Sequence, residues 1–354
     1  MPNPTVIDTV DPQSLSRFDA IIDVRSPAEF AEDHVPGAIN LPVLSNEERA
    51  IVGTIYVQDS RFRARRVGAA LVARNVAHHL ETALADKPGS FMPLVYCWRG
   101  GQRSNAMAVI LSQVGWRTAV LAGGYKTYRR RVQRRLYEDN LGLRVVLLDG
   151  GTGSAKTEIL GRMAALGVQT LDLEGLAEHR GSLFGGHAGC AQPSQKAFES
   201  RLLAALEALD PERPVIVEAE SSKIGDRMNP PSLWKAMSAA PRIEITAPRT
   251  ERARYLVRAY ADIVANGPAL DAALARLPAH PGRKRLGDWG QLTATGDFVG
   301  LAEALMELHY DPAYARSSRN DRRPKLGEIN LAALGEVDLA AAAEQVASLT
   351  EKQG

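Results

Sequence analysis

Short apolar runs alternate with amphipathic stretches along this chain. Residues 20–24, 92–96 and 118–121 have the length and composition of buried strands. They end at Asp23-Val24-Arg25, at Cys97 and at Gly123-Gly124. Residues 105–114 read as a helix between the second and third of them. Strands alternating with helical patterns predict a parallel α/β sheet. In residues 126–137 the pattern changes. Tyr125, Tyr128, Val132 and Leu136 form one apolar stripe at helical spacing, and Arg129, Arg130, Arg131, Arg134 and Arg135 occupy the opposite face. This predicts a basic linker helix, with a domain boundary near residue 140. A second α/β unit follows. Strands are expected at 144–149, 215–217 and 242–246, with a Gly-rich loop and a helix from about Thr157 after the first. Beyond residue 250 the chain is rich in Ala and Leu and reads as mainly helical. The expected organisation is therefore residues 1–140, 141–250 and 251–354, the last packed on the second unit.

Composition narrows the class. At 354 residues the chain suits more than one domain. No apolar run approaches the roughly 18 residues that span a membrane. Residues 1–13 lack the basic and apolar segments of a secretory signal. With only two cysteines, Cys97 and Cys190, a disulfide framework is excluded, and a reducing cytoplasm is the expected location. No zinc spacing is present. A net charge of +2 excludes a polycation, so nucleic-acid binding would rest on local clusters. Besides the linker helix, such clusters occur at Arg61, Arg63, Arg65 and Arg66, at Arg249, Arg252, Arg254 and Arg258, and at Arg319, Arg322, Arg323 and Lys325.

The segment Cys97-Trp98-Arg99-Gly100-Gly101-Gln102-Arg103-Ser104 lies between a strand and a helix. Gly100 and Gly101, with Gln102 after them, let backbone N–H groups turn inward. With a helix N-terminus behind it, the loop is an anion cradle. Arg99 and Arg103 would help to lower the pKa of the Cys97 thiol. Such a thiolate suits nucleophilic attack on sulfur, selenium or phosphorus. Cys190 sits among polar and Gly residues without basic neighbours and reads as an incidental thiol.

Two further stretches sharpen this reading. Asp23-Val24-Arg25-Ser26-Pro27-Ala28-Glu29-Phe30 leads to His34-Val35-Pro36-Gly37-Ala38, which resembles the N-terminal signature of rhodanese domains. Leu121-Ala122-Gly123-Gly124-Tyr125 resembles their closing segment. The resemblance implies that Asp23 and Arg25 brace the active loop. Five residues separate Cys97 from Arg103, a longer spacing than in many sulfurtransferase rhodaneses. Cys-dependent phosphatases share it, so phosphate attack stays open on the residues alone.

Gly150-Gly151-Thr152-Gly153-Ser154-Ala155-Lys156-Thr157 follows a strand and opens a helix, the context in which a phosphate-binding P-loop is meaningful. Lys156 would reach the terminal phosphates. Thr157 would ligate magnesium if magnesium is used. Gly151, Thr152, Gly153 and Ser154 supply the cradle. Ala155 replaces the usual Gly before the Lys and resists positive φ, so an altered loop is expected. Asp172 and Glu174, in a charged stretch that runs to Ser182, and Glu218 and Glu220, at a strand end, are the candidate acidic partners.

A rhodanese unit followed by a P-loop unit, with Asp172-Leu173-Glu174-Gly175-Leu176, His179-Arg180-Gly181-Ser182 and Tyr310-Asp311-Pro312, resembles the tRNA 2-selenouridine synthase family over nearly the whole chain. The resemblance implies an α/β protein: an N-terminal rhodanese-like parallel sheet with helices, a P-loop NTPase-like α/β domain and a mainly helical C-terminal region. It implies an enzyme that replaces the sulfur of a wobble 5-substituted 2-thiouridine in tRNA with selenium from selenophosphate, through an S-geranyl intermediate made from geranyl diphosphate. Cys97 then carries the selenium, and Gly68 maps onto a glycine associated with the geranyl step. No tightly bound cofactor is expected. The partners implied are tRNA, with phosphate contacts to the Arg129–Arg135 face, and a selenophosphate-producing enzyme, with no membrane. The competing expectations are a Cys-dependent sulfurtransferase or phosphatase fused to a small-molecule kinase, and a non-catalytic RNA-binding protein.

Overall fold

The runs predicted as strands form two parallel sheets. In the computed structural model, residues 3–182, 185–186, 190–275, 282–319 and 321–351 are described. They divide into two units, residues 1–138 with 199–207, and residues 139–198 with 208–354.

The first unit contains β1 (Thr5–Ile7), β2 (Ala20–Asp23), β3 (Ala38–Asn40), β4 (Pro93–Tyr96) and β5 (Ala119–Leu121), in the order β1-β5-β4-β2-β3 with every pairing parallel. All four residues of β4 are buried, as a central parallel strand with both faces covered requires. Its core gathers Ile22, Val24, Val95, Met107 and Leu111. The helix after β4 runs Gln102–Val114, three residues longer at its start than the apolar pattern indicates. The polar first turn carries no periodicity signal, yet it is the part that faces Cys97. The predicted stripe on the linker helix is realised: Tyr125, Tyr128, Val132 and Leu136 are all buried. That helix is α-helical over Tyr125–Gln133 and closes in a π-helical turn, Arg134–Glu138.

The second unit contains β6 (Val145–Gly150), β7 (Thr170–Leu171), β8 (Val215–Glu218), β9 (Lys223–Ile224), β10 (Arg227–Met228), β11 (Arg242–Thr246) and β12 (Lys325–Asn330). Its five-stranded sheet has the order β12-β11-β6-β8-β7 and is parallel, and β9 and β10 form a small antiparallel ribbon. All of β6 is buried. The region past residue 250 is mainly helical, but it also supplies β12 to this sheet. The helix Glu336–Glu351 sends Leu339, Ala342 and Val346 into the same core as Ile159 and Leu160 of the helix after the phosphate loop. A separate apolar cluster, including Ile263, Leu270, Trp289, Leu301 and Leu305, holds the helices between. Among the described residues no helix is long and apolar enough to cross a membrane.

Parallel sheets bind ligands beyond the carboxyl ends of their strands. Cys97 follows β4, the phosphate loop follows β6, and Glu218 ends the neighbouring β8.

Candidate active site

Cys97 is 4% exposed, and its Sγ accepts hydrogen bonds from the Gly101 N–H and from Ser104 Oγ, both at 3.2 Å. Burial by itself pushes the thiol pKa up. The donors outweigh it: Ser104 through its hydroxyl and its N–H, with the N–H groups of Arg99 and Gly101, bring the pKa below that of an ordinary thiol. Ser104, whose role the sequence pattern does not signal, is a side chain in direct hydrogen-bond contact with the sulfur.

The loop is held by close backbone crossings. The Tyr125 N–H donates to the Cys97 carbonyl at 2.8 Å, and the Lys126 N–H to that of Trp98 at 3.2 Å. A Cβ on Gly124, at φ +56°, would overlap the Cys97 carbonyl, and one on Gly100, at φ +63°, would lie 2.6 Å from the Leu121 oxygen. Only glycine permits both the conformation and the approach. Asp23 and Arg25 form a fully buried ion pair at 2.6 Å. Arg25 Nη2 also donates to the Asp33 carbonyl, and its guanidinium lies 4.1 Å from the centre of the Tyr125 ring. Tyr125 in turn donates its hydroxyl to Asp33 at 2.6 Å. This pair touches the flank of the loop and not the sulfur.

The two arginines of the loop differ. Arg99 is exposed and has no side-chain partner among the described residues. Arg103 is paired with Glu29 at 2.9 Å, and Arg49 reaches the same carboxylate at 3.0 Å. Gln102 opens the helix as its first residue. Gly68 lies on the buried face of the helix Arg61–Glu81, where a Cβ would rest in ordinary contact with Val52.

In the basic linker helix, Arg129 is paired with Glu199 and Arg131 with Glu207. Arg130 and Arg134 are exposed, and Arg135 is half-buried. The predicted five-arginine face is therefore partly spent on internal ion pairs. The cluster near residue 250 is spent likewise. Arg249 pairs with Glu307 and Asp311, Arg254 with Glu251, and Arg258 donates to the Leu334 carbonyl. Arg323 pairs with Asp321, and Lys325 with Glu244.

At the phosphate loop, Ala155 takes φ +60° and ψ +28°. Alanine adopts the left-handed conformation itself, at a cost of about 1 kcal/mol. Gly153 also has positive φ, and a Cβ there would press on Leu256. Lys156 Nζ lies 2.9 Å from the Gly150 carbonyl, within the loop it would serve. Arg252 clamps the loop from outside, donating to the Thr152 carbonyl at 3.0 Å while paired with Asp311 at 2.9 Å. Neither partner was singled out as part of this site from the sequence, because about 60 to 160 residues separate the groups.

Thr157 donates its hydroxyl to Glu174 at 2.8 Å, and the Glu174 N–H donates to Glu218 at 3.3 Å. A Cβ on Gly181 would touch both Glu174 and Glu220. Three of the four acidic candidates thus converge here. Asp172 acts as the N-cap of the helix Leu173–Ala177, accepting from the Gly175 N–H at 2.7 Å. Burial, followed by neighbouring carboxylates, raises the pKa of both Glu174 and Glu218 above the ordinary range. Among the described residues, Glu218 Oε1 is buried without a hydrogen-bond partner. Among the described residues no group of three or more His, Cys, Asp or Glu side chains could by itself hold a metal. Magnesium typically takes one or two carboxylates together with phosphate oxygens. Thr157, Glu174 and the unpartnered oxygen of Glu218 fit that smaller share.

Two family models match the chain: a rhodanese-like domain over residues 10–131, and the tRNA 2-selenouridine synthase AAA domain over residues 143–270. Among similar proteins, the tRNA 2-selenouridine synthase of Aeromonas salmonicida is 38% identical over 245 residues, covering 68% of this chain and 64% of that one. That of Nitrosomonas europaea is 35% identical over 244 residues, covering 68% and 63%. That of Cupriavidus necator is 33% identical over 332 residues, covering 84% and 87%. The match therefore spans just under two thirds of the first two relatives and most of the third.

Proposed function

The chain belongs to the tRNA 2-selenouridine synthase family, and we propose that it exchanges sulfur for selenium at C2 of a 5-substituted 2-thiouridine in the wobble position of tRNA. Selenophosphate is the selenium source, and geranyl diphosphate activates the sulfur. Sulfur on C2 of uracil is a poor leaving group. Its alkylation by the geranyl group forms a C–S bond, breaks the bond to the diphosphate oxygen and releases diphosphate. The selenium of selenophosphate then attacks C2 and expels geranylthiol, and hydrolysis of the P–Se bond releases phosphate and leaves the selenium on C2.

The observation that carries this reading is the Cys97 sulfur, which accepts hydrogen bonds from Gly101 and Ser104, donors that lower its pKa. Cys97 is the residue we assign to the selenation step, and the inward N–H groups of its loop suit the anionic selenium donor. The phosphate loop, with Lys156, suits the diphosphate of the prenyl donor, whose departing charge it would stabilise. Magnesium held by Thr157 and the Glu174–Glu218 pair would add charge neutralisation there. Arg103, paired with Glu29 outside the loop, favours group transfer over phosphate hydrolysis, where that arginine would hold the phosphate. Arg99, Arg130 and Arg134 are among the exposed cations that tRNA phosphates could meet, and such binding would weaken steeply with salt.

The experiment uses thiolated tRNA, selenophosphate and geranyl diphosphate, with mass spectrometry of the nucleosides. The expected products are the geranylated and the selenated uridines. Cys97→Ala should lose selenation, and Lys156→Ala should lose geranylation. Absence of both products with the unmodified protein rejects the proposal.

A further inference from the structure

An apolar cavity adjoins the phosphate loop inside the second unit. Leu256, Leu270, Phe298, Leu301 and Leu305 form its body, and Thr152, Ser182, Tyr260 and Tyr310 stand where it meets the phosphate-loop pocket. The same five side chains, Thr152, Ser182, Leu256, Tyr260 and Tyr310, line both spaces. Thr152 belongs to the loop whose N–H groups form the anion cradle. Tyr310 closes a π-helical turn, Met306–Tyr310, an irregularity that often marks a functional position. Polar head site and apolar cavity therefore adjoin across these shared side chains.

We infer that this cavity receives the hydrocarbon tail of a diphosphate held by the phosphate loop, and that its size restricts the tail to a short prenyl chain. This rests on the reading of the loop as a diphosphate site. Three observations support it. The walls are almost wholly aliphatic or aromatic, so the ring nitrogens and exocyclic amine of a nucleotide base would lose water without gaining partners. Two of the hydroxyls at the junction are already engaged with each other, Ser182 Oγ lying 2.9 Å from the Tyr260 hydroxyl. The space is small: about 80 Å³ is open to the centre of a water molecule, against about 700 Å³ for the phosphate-loop pocket. That is the room of roughly five to eight waters, which a short branched chain fills and a long polyprenyl chain exceeds. Burying the chain supplies hydrophobic affinity that a phosphate cradle alone lacks.

Ala302 and Val264 also line the cavity and are half-buried, so a larger side chain there fills it with little disturbance of the sheet. Binding of geranyl diphosphate, farnesyl diphosphate, inorganic pyrophosphate and ATP to the full chain is measured by titration calorimetry. Geranyl diphosphate should bind more tightly than pyrophosphate. Ala302→Phe should weaken geranyl diphosphate by roughly tenfold or more, the scale of discrimination a filled apolar pocket gives, with pyrophosphate within about twofold of its original affinity. Phe298→Ala should improve farnesyl diphosphate relative to geranyl diphosphate. Should Ala302→Phe fail to fold, judged by its melting curve, Val264→Phe makes the same test from another helix. Unchanged geranyl diphosphate binding in the filled variants, or an equal loss of pyrophosphate, overturns the cavity assignment alone. If geranyl diphosphate does not bind the unmodified protein and ATP does, the diphosphate reading falls as well.

Discussion

Ser104 Oγ lies 3.2 Å from Cys97 Sγ, while Arg103, one residue earlier, is turned to Glu29. Adjacent residues at a helix start point about 100° apart. The hydroxyl therefore reaches the sulfur and the guanidinium does not. The activating group at this cysteine is a neutral donor with backbone N–H groups behind it.

Ser104→Ala should raise the Cys97 pKa, because the donor it removes stabilises only the charged form. A hydrogen bond to a charged group contributes about 1.5–3 kcal/mol, or about one to two pH units. The rate of thiol alkylation against pH should shift in the alkaline direction by that amount. An unshifted profile would place the control of Cys97 in the backbone alone.

Arg103→Ala and Glu29→Ala should act as a coupled pair. Both groups are partly buried, with side chains 22% and 13% exposed. A double-mutant cycle by urea denaturation should give a coupling of about 1 kcal/mol. Burial raises the Glu29 pKa, and Arg103 more than reverses this to hold it below the ordinary value. Its stabilisation is thus present above the ordinary carboxylate pKa and is lost as pH falls through the lowered one. Additive effects, or hydrolysis of p-nitrophenyl phosphate that depends on Arg103, would contradict the assignment.

Gly124→Ala should disrupt the cysteine loop. The new Cβ meets the Cys97 carbonyl, and the backbone at φ +56° disfavours any other residue. The expected cost is several kcal/mol, or about 3. Because Gly124 belongs to the first unit, pyrophosphate binding by the second should persist. Intact selenation in this variant would be the contrary result.

Glu218→Gln should flatten the dependence of melting temperature on pH. Burial and adjacent carboxylates raise the pKa values of Glu218 and Glu174 in the folded chain. The folded state then holds protons that the unfolded state releases. Stability is fullest below the ordinary carboxylate pKa, about 4.3, and falls as pH rises toward and through the raised values. Without divalent cation the unmodified protein should lose melting temperature from about pH 5 into the alkaline range, more steeply than Glu218→Gln. Equal slopes would show that the buried carboxylate carries no such penalty.

The two loops were legible in the sequence because each is local. Cys97 and the phosphate loop lie in continuous strand–loop–helix segments, where glycine positions and hydrophobic period dictate the backbone. The stripe of Tyr125, Tyr128, Val132 and Leu136 was readable for the same reason, since one helix face must be buried. Tertiary structure alone decided which groups act together. Arg129 and Arg131 looked like a surface until Glu199 and Glu207 packed against them. Arg252 looked like part of a basic patch until Asp311 and the Thr152 carbonyl fixed it to the phosphate loop. The strand β12 and the apolar cavity likewise join segments far apart in the chain. Periodicity reports which face of an element is buried. It does not report what that face meets, because the partner is chosen by packing the whole chain.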